Sequence, residues 1–134
     1  MTTYDELIKS AMASRENAYA PYSHYRVGCA LLAADGSVYT GCNVENASFG
    51  ETVCAERVAI LKAVSEGKRD FEAICILGGI DEIKDYAYPC GACRQVMSEF
   101  CKSELKIVLF DGKNVKLCTL GELFPFSFNK DSIQ

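Results

Sequence analysis

The sequence predicts an α/β fold, a three-layer α/β/α sandwich in which a five-stranded mixed sheet carries helices on both faces. Segments with helical periodicity alternate along the chain with short apolar runs of strand length. Two strong turn signals, Asp35-Gly36 and Asp111-Gly112, each separate a pair of apolar runs. Because 134 residues suffice for one hydrophobic core and no linker or repeat divides them, we expect a single domain over residues 1–134.

The five predicted strands share an apolar character and lengths of four to eight residues. They are expected at residues 27–34, 38–42, 71–78, 105–110 and 115–118. The first two strands should form a hairpin closed by the two-residue turn Asp35-Gly36, and the last two should flank Asp111-Gly112. Uninterrupted apolar runs such as residues 71–78 are typical of strands that are buried on both faces of a sheet.

Helices are predicted between and around these strands. The first covers about residues 4–19, since Thr3 to Glu6 has the spacing of a capping box and apolar residues recur at helical intervals until Pro21. The others are expected to start at Cys54 and stop at Gly67, to run from Cys90 to Phe100, and to open at the capping box of residues 119–122.

The charge balance argues against a polyanionic partner. Lys and Arg total 14 against 18 Asp and Glu, the net charge is −4, and the basic residues are scattered rather than gathered into a stripe. We therefore expect no nucleic-acid partner. No apolar run approaches the roughly 20 residues of a membrane span, and the start of the chain lacks the features of a signal peptide. A cytoplasmic protein with no membrane partner is expected.

Eight cysteines are many for a chain of this length, but only Cys90 and Cys93 are closely spaced. This pattern favours reduced thiols over a disulfide scaffold. Five cysteines are expected to be small buried hydrophobic residues with no metal role: Cys29, Cys42, Cys75, Cys101 and Cys118. The single histidine, His24, is likewise predicted to be a loop residue without a metal role.

The remaining three cysteines have the spacing of a catalytic metal centre. The segment Cys54-Ala55-Glu56 is followed further along the chain by Pro89-Cys90-Gly91-Ala92-Cys93. Three thiolates can hold Zn²⁺ and leave its fourth tetrahedral position to water, and a nearby carboxylate can then move the proton of that water. Zinc-dependent nucleobase deaminases use such a cysteine and glutamate signature.

Three thiolates give the metal centre a net negative charge that neighbouring groups must offset. Both predicted helix starts would direct backbone N–H groups toward the sulfur atoms. Arg57, Arg94 and Gln95 stand where their side-chain donors could reach the thiolates, although surface arginines are often only solvated charges.

These residues belong to a wider pattern, which extends from about residue 18 to residue 128 and resembles the small, three-cysteine class of cytidine deaminase. The resemblance rests on four segments: Ala20-Pro21-Tyr22-Ser23 with Val27-Gly28, residues 41–47, Cys54-Ala55-Glu56-Arg57 and residues 89–95. It implies that Cys54, Cys90 and Cys93 bind one zinc ion and that Glu56 transfers protons among water, ring N3 and the leaving amino group.

The resemblance also implies a set of substrate contacts. Asn43 and Glu45 would hydrogen-bond the ribose hydroxyls, the Ala55 backbone would help to hold the pyrimidine, and Tyr25 would line the base pocket. Phe128 would reach the site of a neighbouring subunit in a homotetramer. Without the resemblance, Asn43 and Glu45 would be interpreted as turn residues, and Tyr25 and Phe128 as core aromatics.

The expected function is zinc-dependent deamination of cytidine and 2′-deoxycytidine to uridine and 2′-deoxyuridine in pyrimidine salvage, with release of ammonia. The same chemistry on another cytosine-bearing compound, such as blasticidin S, is an alternative. A non-catalytic zinc module is a second alternative, but it would have no need for Glu56. A redox role for Cys90 and Cys93 is a third, and it predicts reversible oxidation without bound zinc.

Overall fold

Buried apolar strands form the centre of the molecule, as the hydrophobic runs predict. The structure, a computed structural model, describes residues 2–134. Its strands are β1 (Arg26–Ala33), β2 (Val38–Cys42), β3 (Phe71–Gly79), β4 (Lys106–Phe110) and β5 (Val115–Thr119). They form one sheet in the order β2-β1-β3-β4-β5, in which only β3 and β4 are parallel neighbours. The predicted five-stranded mixed sheet is confirmed.

The helices flank the strands in chain order. They are α1 (Tyr4–Arg15), α2 (Ala55–Ser65), α3 (Gly91–Phe100) and α4 (Leu120–Leu123), with short 3₁₀ turns at Phe49–Glu51 and Lys130–Ile133. No helix within residues 2–134 is both long enough and apolar enough to cross a membrane.

Alternation along the central strands creates a core on each face of the sheet. On one face, Leu31 and Ile76 pack with the α2 and α3 residues Ile60 and Met97. On the other face, residues of β1 and β3 pack with Leu7 and neighbouring residues of α1. Helices therefore cover both faces, and the predicted three-layer arrangement is confirmed.

The first helix is shorter than the sequence predicts. It ends at Arg15 rather than near residue 19, because the chain then turns and Tyr19 pairs with the segment after β2. The Tyr19 N–H donates to Asn43 O at 3.0 Å, and the Glu45 N–H donates to Tyr19 O at 2.9 Å. Ala18 is buried as its helical spacing suggested, but in an irregular segment.

The connections mostly agree with the predicted turns. The β1–β2 hairpin is present, but residues 34–37 connect its strands rather than two residues alone. Asp35 Oδ1 accepts hydrogen bonds from the Ser37 N–H at 3.0 Å and the Ser37 hydroxyl at 2.5 Å, and Lys68 pairs with Asp35 at 2.7 Å. Gly67 follows α2 with a φ of 90°, which explains why that helix stops there.

Candidate active site

Two helix starts bring the three predicted zinc ligands together. Cys54 is the N-cap of α2, Cys90 is the N-cap of α3, and Cys93 lies in the first turn of α3. The Cys54 and Cys90 sulfur atoms are 3.7 Å apart, and those of Cys90 and Cys93 are 3.4 Å apart. All three sulfur atoms lie within 4.8 Å of one another.

The sulfur cluster fits a tetrahedral zinc ion. A Zn–S distance of about 2.3 Å in a tetrahedral site corresponds to a separation of about 3.8 Å between sulfur atoms. No fourth His, Cys, Asp or Glu of residues 2–134 joins the cluster. A zinc ion held by the three sulfur atoms would keep one position open, which is the coordination of a catalytic site rather than a structural one.

The other five cysteines lie outside this cluster. Cys29, Cys42, Cys75 and Cys118 belong to strands, and Cys101 follows the end of α3. All eight cysteines are free thiols. Desolvation by burial raises the pKa of Cys75 and of Cys101 to about 12, so both are neutral thiols at physiological pH. His24 lies in the loop before β1 and does not join the sulfur cluster either.

Hydrogen-bond donors stabilise the negative charge of Cys54. The pKa of this thiol is lowered to about 5, first because Cys93 hydrogen-bonds to its sulfur and then because Arg57 does. Arg57 Nη2 lies 3.5 Å from the Cys54 sulfur and 3.3 Å from Thr52 O. The structure thus places Arg57 beside a thiolate, as its position in the sequence suggested.

The other two predicted donors lie elsewhere, which corrects the sequence-based expectation. Arg94 donates to Pro89 O at 2.8 Å and to Leu123 O at 2.5 Å. Gln95 donates to Phe128 O at 2.8 Å. Both side chains therefore connect the start of α3 with the C-terminal segment instead of contacting the sulfur atoms.

Glu56 is a buried carboxyl group beside the cluster. It is the second residue of α2, and only 4% of its surface is exposed. Desolvation raises its pKa to about 7, and the negative charge of Cys54 adds to the effect. A carboxyl group that titrates near neutral pH can both accept and release a proton during a reaction cycle.

A cavity of about 290 Å³ opens beside the sulfur atoms. Four of the predicted site residues line it in addition to Cys54 and Cys90: Tyr25, Asn43, Ala55 and Glu56. Six lining residues were not predicted: Val27, Thr52, Ile76, Tyr86, Ala87 and Tyr88. The last three directly precede Pro89-Cys90, so their proximity to a predicted ligand was a usable signal. Val27 and Ile76 reach the cavity through strand pairing, which the sequence does not reveal.

Asn43 shapes the wall of this cavity. Its Oδ1 accepts a hydrogen bond from the Val27 N–H at 2.9 Å, and its Nδ2 donates to Tyr25 O at 2.8 Å. The buried Asn43 amide therefore holds the backbone on either side of Arg26.

Glu45 and Phe128 do not line the cavity. Glu45 accepts hydrogen bonds from the Tyr22 and Ser23 N–H groups at 2.9 and 3.1 Å and from the Ser23 hydroxyl at 2.5 Å. These hydrogen bonds hold the pKa of Glu45 below its usual value, and the bond from the Ser23 hydroxyl has the largest effect. The Phe128 side chain is 62% exposed, and within this chain it contributes nothing to the cavity.

The fold and the site together define a class of protein. A buried carboxyl group and three clustered thiols at the edge of a cavity are the components of a zinc-dependent hydrolase. The family described as the cytidine and deoxycytidylate deaminase zinc-binding region matches residues 1–109. The chain belongs to this family, and it is a zinc-binding deaminase that hydrolyses a carbon–nitrogen bond.

Individual relatives agree with this assignment. A cytidine deaminase from Halalkalibacterium halodurans is 48% identical over 128 residues, which cover 95% of this chain and 95% of the relative. The crystal structure of a cytidine deaminase from Burkholderia pseudomallei superposes with a TM-score of 0.89 at 47% identity, and the match covers 95% of this chain and 100% of that one. The α/β fold and the family predicted from the sequence are therefore confirmed.

A relative with a different name bears on the substrate. The blasticidin-S deaminase of Bacillus cereus is 30% identical over 131 residues, which cover 94% of this chain and 92% of the relative. The alternative activity considered from the sequence is thus the one for which this relative of the chain is named.

Proposed function

We propose that the chain catalyses the hydrolytic deamination of cytidine and 2′-deoxycytidine, forming uridine and 2′-deoxyuridine and releasing ammonia. One observation carries the proposal: a buried carboxyl group and three thiols that fit a zinc ion meet at one end of a small cavity. The relatives named cytidine deaminase support the choice of substrate, because they match along nearly the whole chain.

Cys54, Cys90 and Cys93 would hold the zinc, which supplies a water molecule acidified enough to attack C4 of the base near neutral pH. Arg57 would hold the Cys54 thiolate through the 3.5 Å contact described above and offset part of its charge. The N–H groups at the starts of α2 and α3 act in the same direction.

Glu56 would carry out the proton transfers. As a carboxylate it accepts the proton of the attacking water, and as a carboxylic acid it delivers that proton to ring N3. The regenerated carboxylate then accepts the proton of the new C4 hydroxyl group and passes it to the amino group, so that the C4 carbonyl forms as ammonia departs. A pKa raised to about 7 by burial suits both directions of transfer.

The cavity walls would recognise the nucleoside. Tyr25, Val27 and Ile76 offer apolar and aromatic surface to a planar base, and the Ala55 backbone lies beside Glu56 to help hold it. The Oδ1 and Nδ2 atoms of Asn43 each make one hydrogen bond within the chain. Each can make a second, so Asn43 offers one acceptor and one donor position to a ribose hydroxyl group. Glu45 would share this task from the edge of the site, where its Oε2 atom can accept one further hydrogen bond.

The proposed assembly is a homotetramer in the cytoplasm, where Phe128 of each chain packs at the site of a neighbour. The C-terminal segment supports this proposal because Phe126 is fully exposed and Phe128 is 62% exposed. Two exposed phenyl groups so close in sequence form an apolar surface that monomeric proteins seldom leave in contact with water. The hydrogen bond from Gln95 to Phe128 O holds this segment against α3.

Zinc content and product formation measured on one purified sample would test the proposed function. We expect about one zinc per chain, release of ammonia and uridine from cytidine, and loss of activity when a chelator removes the metal. Reversible oxidation of Cys90 and Cys93 without zinc would favour the redox alternative, and zinc without turnover would favour a non-catalytic module.

Parallel kinetics with blasticidin S decide between the two candidate substrates. The proposal requires kcat/KM for cytidine to exceed that for blasticidin S. The reverse order would assign the chain to the second activity.

A further inference from the structure

Arg15 is a buried charged residue with no carboxylate partner. Only 7% of its surface is exposed, and the one ion pair within residues 2–134 joins Lys68 to Asp35. Its guanidinium donates to three backbone carbonyl groups instead. The distances are 3.0 Å from Nε to Arg26 O and 2.8 Å from Nη2 to both Gly79 O and Asp81 O. Burying a cation without an opposite charge is unfavourable. The role of Arg15 therefore depends on which part of the backbone these three hydrogen bonds hold in place.

A close approach of α1 to β1 allows Arg15 to reach those carbonyl groups. A Cβ atom at Gly28 would lie 2.0 Å from Ala11 O and 2.9 Å from the Arg15 Cβ atom. Any residue other than glycine would therefore push the helix away from the sheet. Arg15 then extends along the sheet to the ends of two paired strands, since Arg26 of β1 is registered with Gly79 of β3.

Arg26 lies between two residues of the cavity wall. Tyr25 and Val27 line the cavity, and the Asn43 amide holds the carbonyl of the first and the N–H of the second. Arg15 holds the carbonyl of the residue between them. Two side chains thus fix two consecutive peptide groups, those on either side of Arg26. Arg15 reaches them from α1, which packs on the opposite face of the sheet from α2 and α3.

We propose that Arg15 is a positioning residue for the base pocket: its guanidinium fixes the start of β1 and thereby holds Tyr25 and Val27 in the cavity wall. The inference rests on the proposed function, because it assigns the wall to substrate binding. Arg15 touches neither the sulfur atoms nor Glu56, so its loss should affect substrate binding more than proton transfer.

Arg15→Gln and Arg15→Lys would test the inference, with Arg69→Gln as a matched control. Arg69 also donates only to backbone carbonyl groups, Val64 O and Lys68 O, both at 2.9 Å, but it is exposed and lies beyond the end of α2. For Arg15→Gln we expect KM for cytidine to rise about 10-fold, with kcat within about 3-fold of wild type and an unchanged zinc content. Arg15→Lys should recover part of the affinity, since an ammonium group also donates to carbonyl oxygens.

Amide hydrogen exchange provides a readout that does not depend on turnover. Peptides covering residues 22–28 should exchange faster in the Arg15→Gln variant than in wild type, whereas the Arg69→Gln control should exchange like wild type there. If the Arg15→Gln variant does not fold, the same two measurements on Arg15→Lys decide.

Three results would overturn the inference. The first is a KM within 2-fold of wild type in the folded variant. The second is a parallel loss of kcat, zinc and stability, which would indicate a purely structural residue. The third is unchanged exchange over residues 22–28. If wild type itself leaves cytidine unreacted, the proposed function fails, and the exchange comparison alone then decides whether Arg15 holds the wall.

Discussion

At the scale of single residues, the carboxyl group of Glu56 combines burial with freedom from metal coordination. We expect Glu56→Gln to retain its zinc, because the residue does not belong to the sulfur cluster. The amide cannot accept and return a proton, so kcat for cytidine should fall by at least about 10²-fold. Metal analysis and steady-state kinetics on the same preparation check both statements, and near wild-type turnover would show that another group transfers the proton.

The wall residues Tyr25 and Val27 also depend on the small size of Gly78. A Cβ atom at this position would lie 3.0 Å from Tyr25 Cε1 and 3.0 Å from Val27 Cγ2. In Gly78→Ala we expect both side chains to move into the cavity, raising KM several-fold, with overpacking costing about 1–3 kcal/mol of unfolding free energy.

Gly50→Ala is the matched control for this substitution, because a Cβ atom there meets nothing within 4 Å. Kinetics and urea denaturation of the two variants should differ clearly. Equal KM values for Gly78→Ala, Gly50→Ala and wild type would show that the wall tolerates the added methyl group.

Single residues also show what the sequence could not reveal. The ligand spacing and the glutamate two positions after Cys54 predicted the composition of the sulfur cluster and its neighbour. The roles of Arg94 and Gln95 were wrongly predicted, because each donates to a carbonyl group about 30 residues away along the chain, at Leu123 and Phe128. Short-range spacing contains no information on such distant acceptors.

At the scale of secondary-structure elements, the buried strand β3 contains a thiol that should make stability depend on alkaline pH. Burial raises the pKa of Cys75 from 9.0 to about 12. The folded state therefore keeps its proton up to about pH 12, whereas the unfolded chain loses it above about pH 9. Since the unfolded state then binds fewer protons, stability is fully present below pH 9 and falls as the pH rises toward 12.

We expect this one group to contribute a slope of about 1.4 kcal/mol per pH unit in that window. Cys75→Ala should remove the contribution, so its unfolding free energy should fall less steeply with pH than that of wild type. Urea denaturation between pH 6 and 11 would measure both slopes, and the range below pH 8 serves as the internal control. Parallel curves for wild type and Cys75→Ala above pH 9 would mean that Cys75 ionises as easily in the folded state as in the unfolded state.

Every strand end was predicted to within one residue, because a run of apolar residues must be buried wherever it lies. The end of α1 was predicted too far along the chain, because Ala18 is buried at a helical interval but lies in an irregular segment. Residues 86–88 were missed as part of the site because a loop has no periodicity that marks which side faces a cavity. Hydrophobic patterning thus indicates which residues are buried, whereas tertiary contacts decide whether a buried residue lies in a helix, a strand or an irregular segment.

At the scale of the whole molecule, the exposed C-terminal segment should matter for both assembly and substrate affinity. Deleting residues 126–134 removes the exposed Phe126 and Phe128 and the acceptor of the Gln95 hydrogen bond. We expect the truncated chain to dissociate to a smaller species and to bind cytidine more weakly, while zinc content stays unchanged because all three cysteines lie upstream. Analytical ultracentrifugation and steady-state kinetics would detect the two effects together.

A full-length Phe128→Ser variant separates the side chain from the rest of the segment. It should show the same direction of change in affinity. A truncated protein with unaltered assembly and KM would mean that Phe128 has no part in the site.

Overall charge predicts a preference for nucleosides over their 5′-monophosphates. The chain has a net charge of −4, and the segment proposed to hold the sugar contributes the carboxylate of Glu45 and no basic residue. A phosphate dianion would therefore meet repulsion without a compensating cation. We expect kcat/KM for cytidine to exceed that for CMP by at least about 10²-fold, and equal values would contradict this argument.

The β1–β2 hairpin loop has a practical consequence for protein engineering. Residues 34–37 lie at the far end of β1 from Arg26, and a strand of eight residues spans about 26 Å at the usual rise per residue. Exposed loop tips are also where inserted sequence is best tolerated. An insertion between Asp35 and Gly36 would therefore project away from the cavity beside the sulfur atoms and leave the C-terminal segment free. This site suits a fluorescent reporter, an affinity tag or a surface attachment point.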